Sequence, residues 1–172
     1  MKHIFLGLLT AVVTVLVLSS CINDDFTTSQ NDVLSFSTDT VTFDTVMTKQ
    51  GTATKQFVIY NKSKKQLNIS SIKVAGISSA RFYLNVDGTK ATEFHDIEVR
   101  GEDSIYVFVE GFIDELSSTD LKEFNDRIDF VTNGVNQSVV LMAWGQDVIR
   151  LKGDTIKQDT HFTAERPYLI YD

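Results

Sequence analysis

The chain has one cysteine, one proline and one tryptophan in 172 residues. A lone cysteine excludes any intrachain disulfide, so the folded part must hold by packing and hydrogen bonds. Of three histidines, His3 lies at the start, and His95 and His161 are far apart. Neither of the latter has a cysteine or second histidine at ligand spacing, which disfavours zinc. No Asp-x-Asp-x-Asp-Gly loop offers calcium converging oxygens, and no glycine-rich loop is built to cradle phosphate. A base, a nucleophile and an orienting group do not come together along the chain, so no catalytic residue, metal ligand or cofactor site is assigned. Basic residues are also in deficit: all 23 acidic side chains but only 15 of the 16 basic ones follow residue 20, leaving −8 beyond it. That balance argues against nucleic acid as a partner and fits a solvated surface.

What is present begins with Lys2 and His3, an apolar run from Ile4 to Leu18 broken only by Gly7, Thr10 and Thr14, then Ser19, Ser20 and Cys21. A basic start, a short apolar core and small residues form the layout of a secretory signal peptide over residues 1–20. The core is shorter than the ~20 apolar residues that cross a bilayer comfortably. Leu18-Ser19-Ser20-Cys21 resembles the bacterial lipobox at every position. The resemblance implies cleavage before Cys21, a diacylglyceryl group on its thiol, and acylation of the new amino terminus by a palmitate-like chain. Each buried methylene then adds ~0.8 kcal/mol of membrane hold. The alternatives are an uncleaved membrane anchor or a secreted protein in which Cys21 is incidental. Asn23-Asp24-Asp25 resembles the acidic export signal after the cysteine of surface-displayed Bacteroidetes lipoproteins. An outer-membrane location on the cell surface follows, with the periplasmic face as the alternative. Residues 21–33 are polar and without periodicity, and read as a flexible tether.

From Val33 onward the chain reads as successive short strands. Twelve Phe, five Tyr and abundant Val, Ile and Thr favour strands over helices. Leu34 and Phe36 alternate in one phase and Val41 and Phe43 in the other, which predicts a bulge or kink near Thr38-Asp39. Phe57 to Tyr60 reads as a buried strand, the lysine-rich segment Asn61 to Gln66 as a turn, and Leu67 and Ile69 as the next strand, continued by Ile72 and Val74 in shifted phase. Asp87-Gly88 and Asn133-Gly134 are tight-turn dipeptides. Ile105, Val107 and Val109 share one face of the strongest strand, and Tyr106 and Phe108 the other. Only Leu116 to Asn125 reads as a long loop with room for one helical turn. The whole is an all-β, immunoglobulin-like β-sandwich of about seven or eight strands over residues 34–147, with a C-terminal extension or linker at 148–172.

The residues Phe57 to Ile69, Phe82, Ile97 to Val107, Ile128 to Gly134 and Val139 to Asp147 resemble immunoglobulin-like modules of the ASPM/SPD-2/Hydin kind, and more closely those at the start of Bacteroidetes cell-surface lipoproteins. In this likeness Asn61 turns one hairpin, Gly101-Glu102-Asp103 another, and Trp144-Gly145 closes the last strand. In such proteins a right-handed parallel β-helix often follows, entered through a segment like Arg166 to Tyr171. The resemblance therefore implies that Val148 to Thr163 is a strand pair and linker, Pro167 a stiff entry point, and the chain either a short form or an N-terminal part.

Binding features are sparse. Lys62, Lys64 and Lys65 read as a solvated turn, and Tyr106, Phe108 and Trp144 as core rather than a sugar-stacking platform. Phe112 and Phe124, flanking the long loop, are the expected exposed aromatics. Thr40, Thr45, Ser104 and Thr155 each follow Asp and precede an aliphatic residue, a triplet resembling the O-glycosylation sequon of Bacteroidetes exported proteins. Turn residues entering a strand give the same triplet. The function expected is a non-catalytic binding, adhesion or spacer module held to the membrane through lipid on Cys21. The alternatives are a glycan-binding accessory of a surface carbohydrate-capture system or the N-terminal cap of a larger β-helix protein. The partner is accordingly a surface glycan or a protein.

Overall fold

The computed structural model describes residues 25–116, 119–153, 156 and 158–171. Thirteen strands occur among them: β1 (Leu34–Phe36), β2 (Thr40–Met47), β3 (Lys55–Asn61), β4 (Leu67–Val74), β5 (Arg81–Val86), β6 (Thr89–Ala91), β7 (Glu93–Phe94), β8 (Ile97–Val99), β9 (Ser104–Phe112), β10 (Lys122–Thr132), β11 (Val135–Gln146), β12 (Ile149–Lys152) and β13 (Tyr168–Tyr171). One sheet has the order β1-β3-β9-β5-β6, the facing one β2-β11-β10-β4-β7, with β8 also beside β4. Pairings are antiparallel in both sheets except β2 on β11. The β3–β9 and β4–β10–β11 neighbours are the B–E and C–F–G pairings of an immunoglobulin-like sandwich, with β5 in the D position.

Alternation puts one side of each strand in the core. Phe57, Ile59, Leu84, Val107 and Val109 face inward from the first sheet, and Phe43, Leu67, Ile69, Ile72, Ile128, Phe130 and Leu141 from the second. Phe130 meets Phe36 with ring centroids 4.9 Å apart and Phe57 edge-on at 6.3 Å, joining the sheets.

The two phase changes in the sequence have different origins. At Ser37 to Asp39 the chain passes from one sheet to the other, with Thr40 N donating to Thr38 Oγ1 (3.2 Å). In β4 it is a bulge: Ser71 faces Val131 while Ile69 faces Thr132, leaving Ser70 as the extra residue. Asp87-Gly88 and Asn133-Gly134 both have positive φ at each residue and make two-residue hairpins, β5–β6 and β10–β11.

Two expected hairpins are instead arches between sheets. The turn at Asn61 leads from β3 to β4, and the turn at Gly101 from β8 to β9, each pair lying in opposite sheets. The arches stack. Buried Asn61 donates through Nδ2 to the carbonyls of Lys65 (2.8 Å), Val99 (3.0 Å) and Arg100 (2.9 Å), and its Oδ1 accepts from Ser63 N. Gly101 lies so close that a Cβ there would stand 2.2 Å from the Lys64 carbonyl oxygen. No helix occurs among the described residues, and β10 begins at Lys122, inside the segment expected as a loop with a helical turn.

Residues from Asp25 to Val33 lie against the sandwich, in contrast to a free tether over 21–33. Gln66 N donates to the Asp25 carbonyl and Thr27 N to the Gln66 carbonyl. Beyond β11, β12 pairs in parallel with β13 across an offset of 19 residues, Ile149 facing Tyr168.

Truncating Phe130 to Ala removes the ring shared by both sheets. The expected loss is ~3–5 kcal/mol, read as a lower urea midpoint at nearly constant slope.

Candidate functional site

With Val107 and Val109 pointing inward, β9 turns Tyr106 and Phe108 outward, where both are exposed. Their ring centroids are 6.4 Å apart and their planes 22° from parallel. Across the sheet Val58 lies opposite Tyr106, and Asn85 opposite Phe108. This overturns the expectation that Tyr106 and Phe108 are core. Trp144 is half-buried. The expected exposed pair behaves differently too: Phe124 is buried, and Phe112 is half-buried with the Arg81 guanidinium 4.6 Å above its ring. The period-two pattern identified both faces of β9, but aromatic rings on the open side of a sheet look the same in sequence as rings in its core.

Beside the rings runs a groove of about 690 Å³, bounded by the β5–β6 turn, β8 and the β8–β9 arch. Its charged lining is Asp87, Asp96, Glu98 and Asp103 against the single cation Arg100. Three of the four carboxylates are positioned. Glu98 Oε2 accepts from Gln66 Nε2 (2.7 Å), Asp96 Oδ1 from Asn68 Nδ2 (3.2 Å), and Asp103 Oδ1 from Ser104 N (2.7 Å). Each keeps lone pairs for further donors. Farther along the outer face, Glu110 bonds Lys90 and Thr54, and the Lys90 ammonium stands 5.2 Å from the Tyr83 ring centroid. The Lys90 hydrogen bond, with that of Thr54, holds the Glu110 carboxyl below the usual range. The outer face is thus ion-paired at one end and aromatic at the other. The arrangement can stack an apolar ring face and accept hydrogen bonds from hydroxyl or amine groups at its edge.

A second polar cluster joins the C-terminal extension to the sandwich. Buried Thr48 donates through Oγ1 to Asp147 Oδ1 (2.6 Å), and Arg166 Nη1 donates to Asp147 Oδ2 (2.9 Å). Arg150 donates to the Thr48 carbonyl. The Thr48 hydroxyl first, and Arg166 after it, hold the Asp147 carboxyl below its ordinary value against the opposing effect of burial.

Of the sites singled out from sequence, Cys21 and Thr155 lie outside the described residues. Thr45 is exposed on β2; Thr40 and Ser104 are half-buried at strand starts. The structure does not gather them. His95 is exposed, near the Ser70 carbonyl and Glu93, and His161 is exposed elsewhere. Among the described residues no three of His, Cys, Asp and Glu converge as a metal site, and no helix is long and apolar enough to cross a membrane. Lys62, Lys64 and Lys65 are exposed on the β3–β4 arch.

No family model and no curated protein matches the chain. Among solved structures, a Porphyromonas gingivalis protein of unknown function is 10% identical with a TM-score of 0.45, covering 69% of this chain and 58% of its own. The Escherichia coli chaperone DraB is 10% identical with a TM-score of 0.42, at 70% and 56% coverage. The CupB6 tip adhesin from Pseudomonas aeruginosa is 10% identical with a TM-score of 0.45, at 62% and 39% coverage. The chain therefore spans less than two thirds of each. These likenesses assign no function; the fold assignment rests on the strand pairings above.

Because the folded value for Asp147 lies below the unfolded one, its contribution to stability is present above the unfolded value and lost as pH falls through the folded one. Asp147→Asn is expected to flatten that acid-side loss and to cost ~1–3 kcal/mol at neutral pH. Urea titrations between neutral and strongly acidic pH, with protease sensitivity at residues 153–165 as a local readout, measure both effects.

Proposed function

We propose that this chain is a lipid-anchored, non-catalytic module of the cell envelope, of the ASPM/SPD-2/Hydin-like kind, which stands on the outer membrane and binds through the outer face of its first sheet. One observation carries the reading: Tyr106 and Phe108 lie exposed and near-parallel beside a carboxylate-lined groove. An exposed aromatic pair with charged acceptors at its rim suits a surface saccharide, whose ring carbons stack and whose hydroxyls donate. The lipobox-like Leu18 to Cys21 supports the anchor, and the acidic Asn23 to Asp25 supports surface display. A glycan array probed with the acylated protein in detergent micelles tests the reading. Hits that disappear in Tyr106→Ala and Phe108→Ala proteins of unchanged circular dichroism are expected. Hits that persist in both variants would move binding off this face, and a blank array would remove the saccharide.

A second reading, an N-terminal cap of a β-helix protein, is favoured by the β12–β13 pair. Parallel strands 19 residues apart form one turn of a coil, and Ile170 and Tyr171 are exposed at its end. Under this reading the DNA beyond codon 172 encodes further strand-rich turns; a stop codon there would end it.

A further inference from the structure

We infer that residues 25–33 turn the lipid anchor into a short mount, so that the end of the sandwich formed by the β3–β4, β8–β9 and β10–β11 turns is the face that meets the lipid surface. The inference rests on acylation of Cys21, as proposed above.

The segment is fastened at three points on that end. Phe26 forms a parallel bridge with Gln66, closed by the Gln66 N to Asp25 O bond (3.1 Å) and the Thr27 N to Gln66 O bond (3.0 Å). Thr27 is buried, and its hydroxyl donates to Asp32 Oδ2 at 2.6 Å, folding the segment on itself. Asn133, in the β10–β11 turn, donates through Nδ2 to the carbonyls of Ser29 and Asp32, both at 3.0 Å. Gln137 then exchanges two bonds with the Leu34 backbone, fixing where β1 begins.

Length decides the consequence. Four residue steps separate Cys21 from Asp25 and reach at most ~14 Å. A free linker of thirteen residues would have an r.m.s. span of about 20 Å and a far longer maximum. The body is tall by comparison, since the twelve residues of β11 alone extend about 40 Å. The turn end therefore stays within one short leash of the acylated residue, while the β2–β3 turn and the β12–β13 pair lie at the other end. Phe26, exposed within five residues of Cys21, gives the near end an apolar side chain to place against the headgroup region. Basic charge does not dictate this orientation: exposed Lys62, Lys64, Lys65 and Arg100 are outnumbered there by Asp25, Asp32, Glu98, Glu102 and Asp103. The mount therefore needs no attraction to anionic lipid, and salt should not release it.

Acylation occupies the only native thiol, so an introduced cysteine can be labelled alone. Acylated Lys62→Cys and Gln50→Cys proteins, each carrying one donor dye, are reconstituted in phosphatidylcholine vesicles holding a headgroup acceptor. Energy transfer from position 62 is expected to exceed that from position 50 by about two-fold or more, given the height of the body. The difference should persist at roughly three times physiological ionic strength. Replacing residues 25–33 with a Gly/Ser linker, with circular dichroism unchanged, should bring the two efficiencies together. Equal transfer in the parent protein, or a difference that survives the linker, would overturn the mount. Absence of both proteins from the vesicles would instead overturn acylation, and the mount with it.

Discussion

The contact between Phe130 and the pair Phe36 and Phe57 is the constraint on which the sandwich depends. Immunoglobulin-like domains often cross-link their sheets with a disulfide at this depth. Here the chain has a single cysteine and no disulfide to form, so the link between layers has to be dispersion and buried area. Rings contribute more buried surface per residue than aliphatic side chains, which accounts for a core rich in phenylalanine. A packed link also requires correct spacing between the sheets. The stacked arches supply it, because Asn61 ties both chain crossings together and Gly101 allows them to touch.

Much of this was legible in the sequence. Alternation located β3, β5, β9, β10 and β11, and the Asp-Gly and Asn-Gly dipeptides located two hairpins, because period and turn chemistry are local properties. What local properties cannot carry is the identity of a strand's neighbour. A polar turn between two strands reads alike whether it closes a hairpin or crosses between sheets, so the arches at Asn61 and Gly101 look like hairpins in the sequence. The exposure of Tyr106 and Phe108 failed for a related reason: whether a sheet's outer side is covered depends on the rest of the chain. Phe124 reads as a loop residue because strand β10 extends through polar and charged residues, Lys122, Glu123, Asn125 and Asp126, whose pattern hides its start. The fastening of residues 25–33 had no periodic signal at all. It runs through a bridge to Gln66 and through the Ser29 and Asp32 carbonyls met by Asn133, far along the chain.

The two ends of the body are closed by the same kind of device. At one end polar side chains grip the entering chain; at the other the Thr48, Asp147 and Arg166 cluster grips the leaving one. In both, an irregular segment has too little apolar surface to bury and is held by directional bonds, several of them to backbone carbonyls. Such bonds contribute modestly each but fix direction. The apolar core sets whether the domain folds, and the polar clamps set where its two chain ends point.

That division bears on the open aromatic face. A side-facing platform on a freely swinging domain would meet partners in every orientation. With the entering chain clamped a few residues from Cys21, Tyr106 and Phe108 instead occupy a flank of the body near its fastened end, since Ser104 at the start of β9 pairs with Tyr60 beside the arches. If Cys21 is acylated as proposed, a partner for this flank is one that can be reached close to the lipid surface. The exposed Ile170 and Tyr171 lie at the opposite end. One rigid sandwich thus separates two surfaces by its own height, and the separation follows from the clamps rather than from either surface.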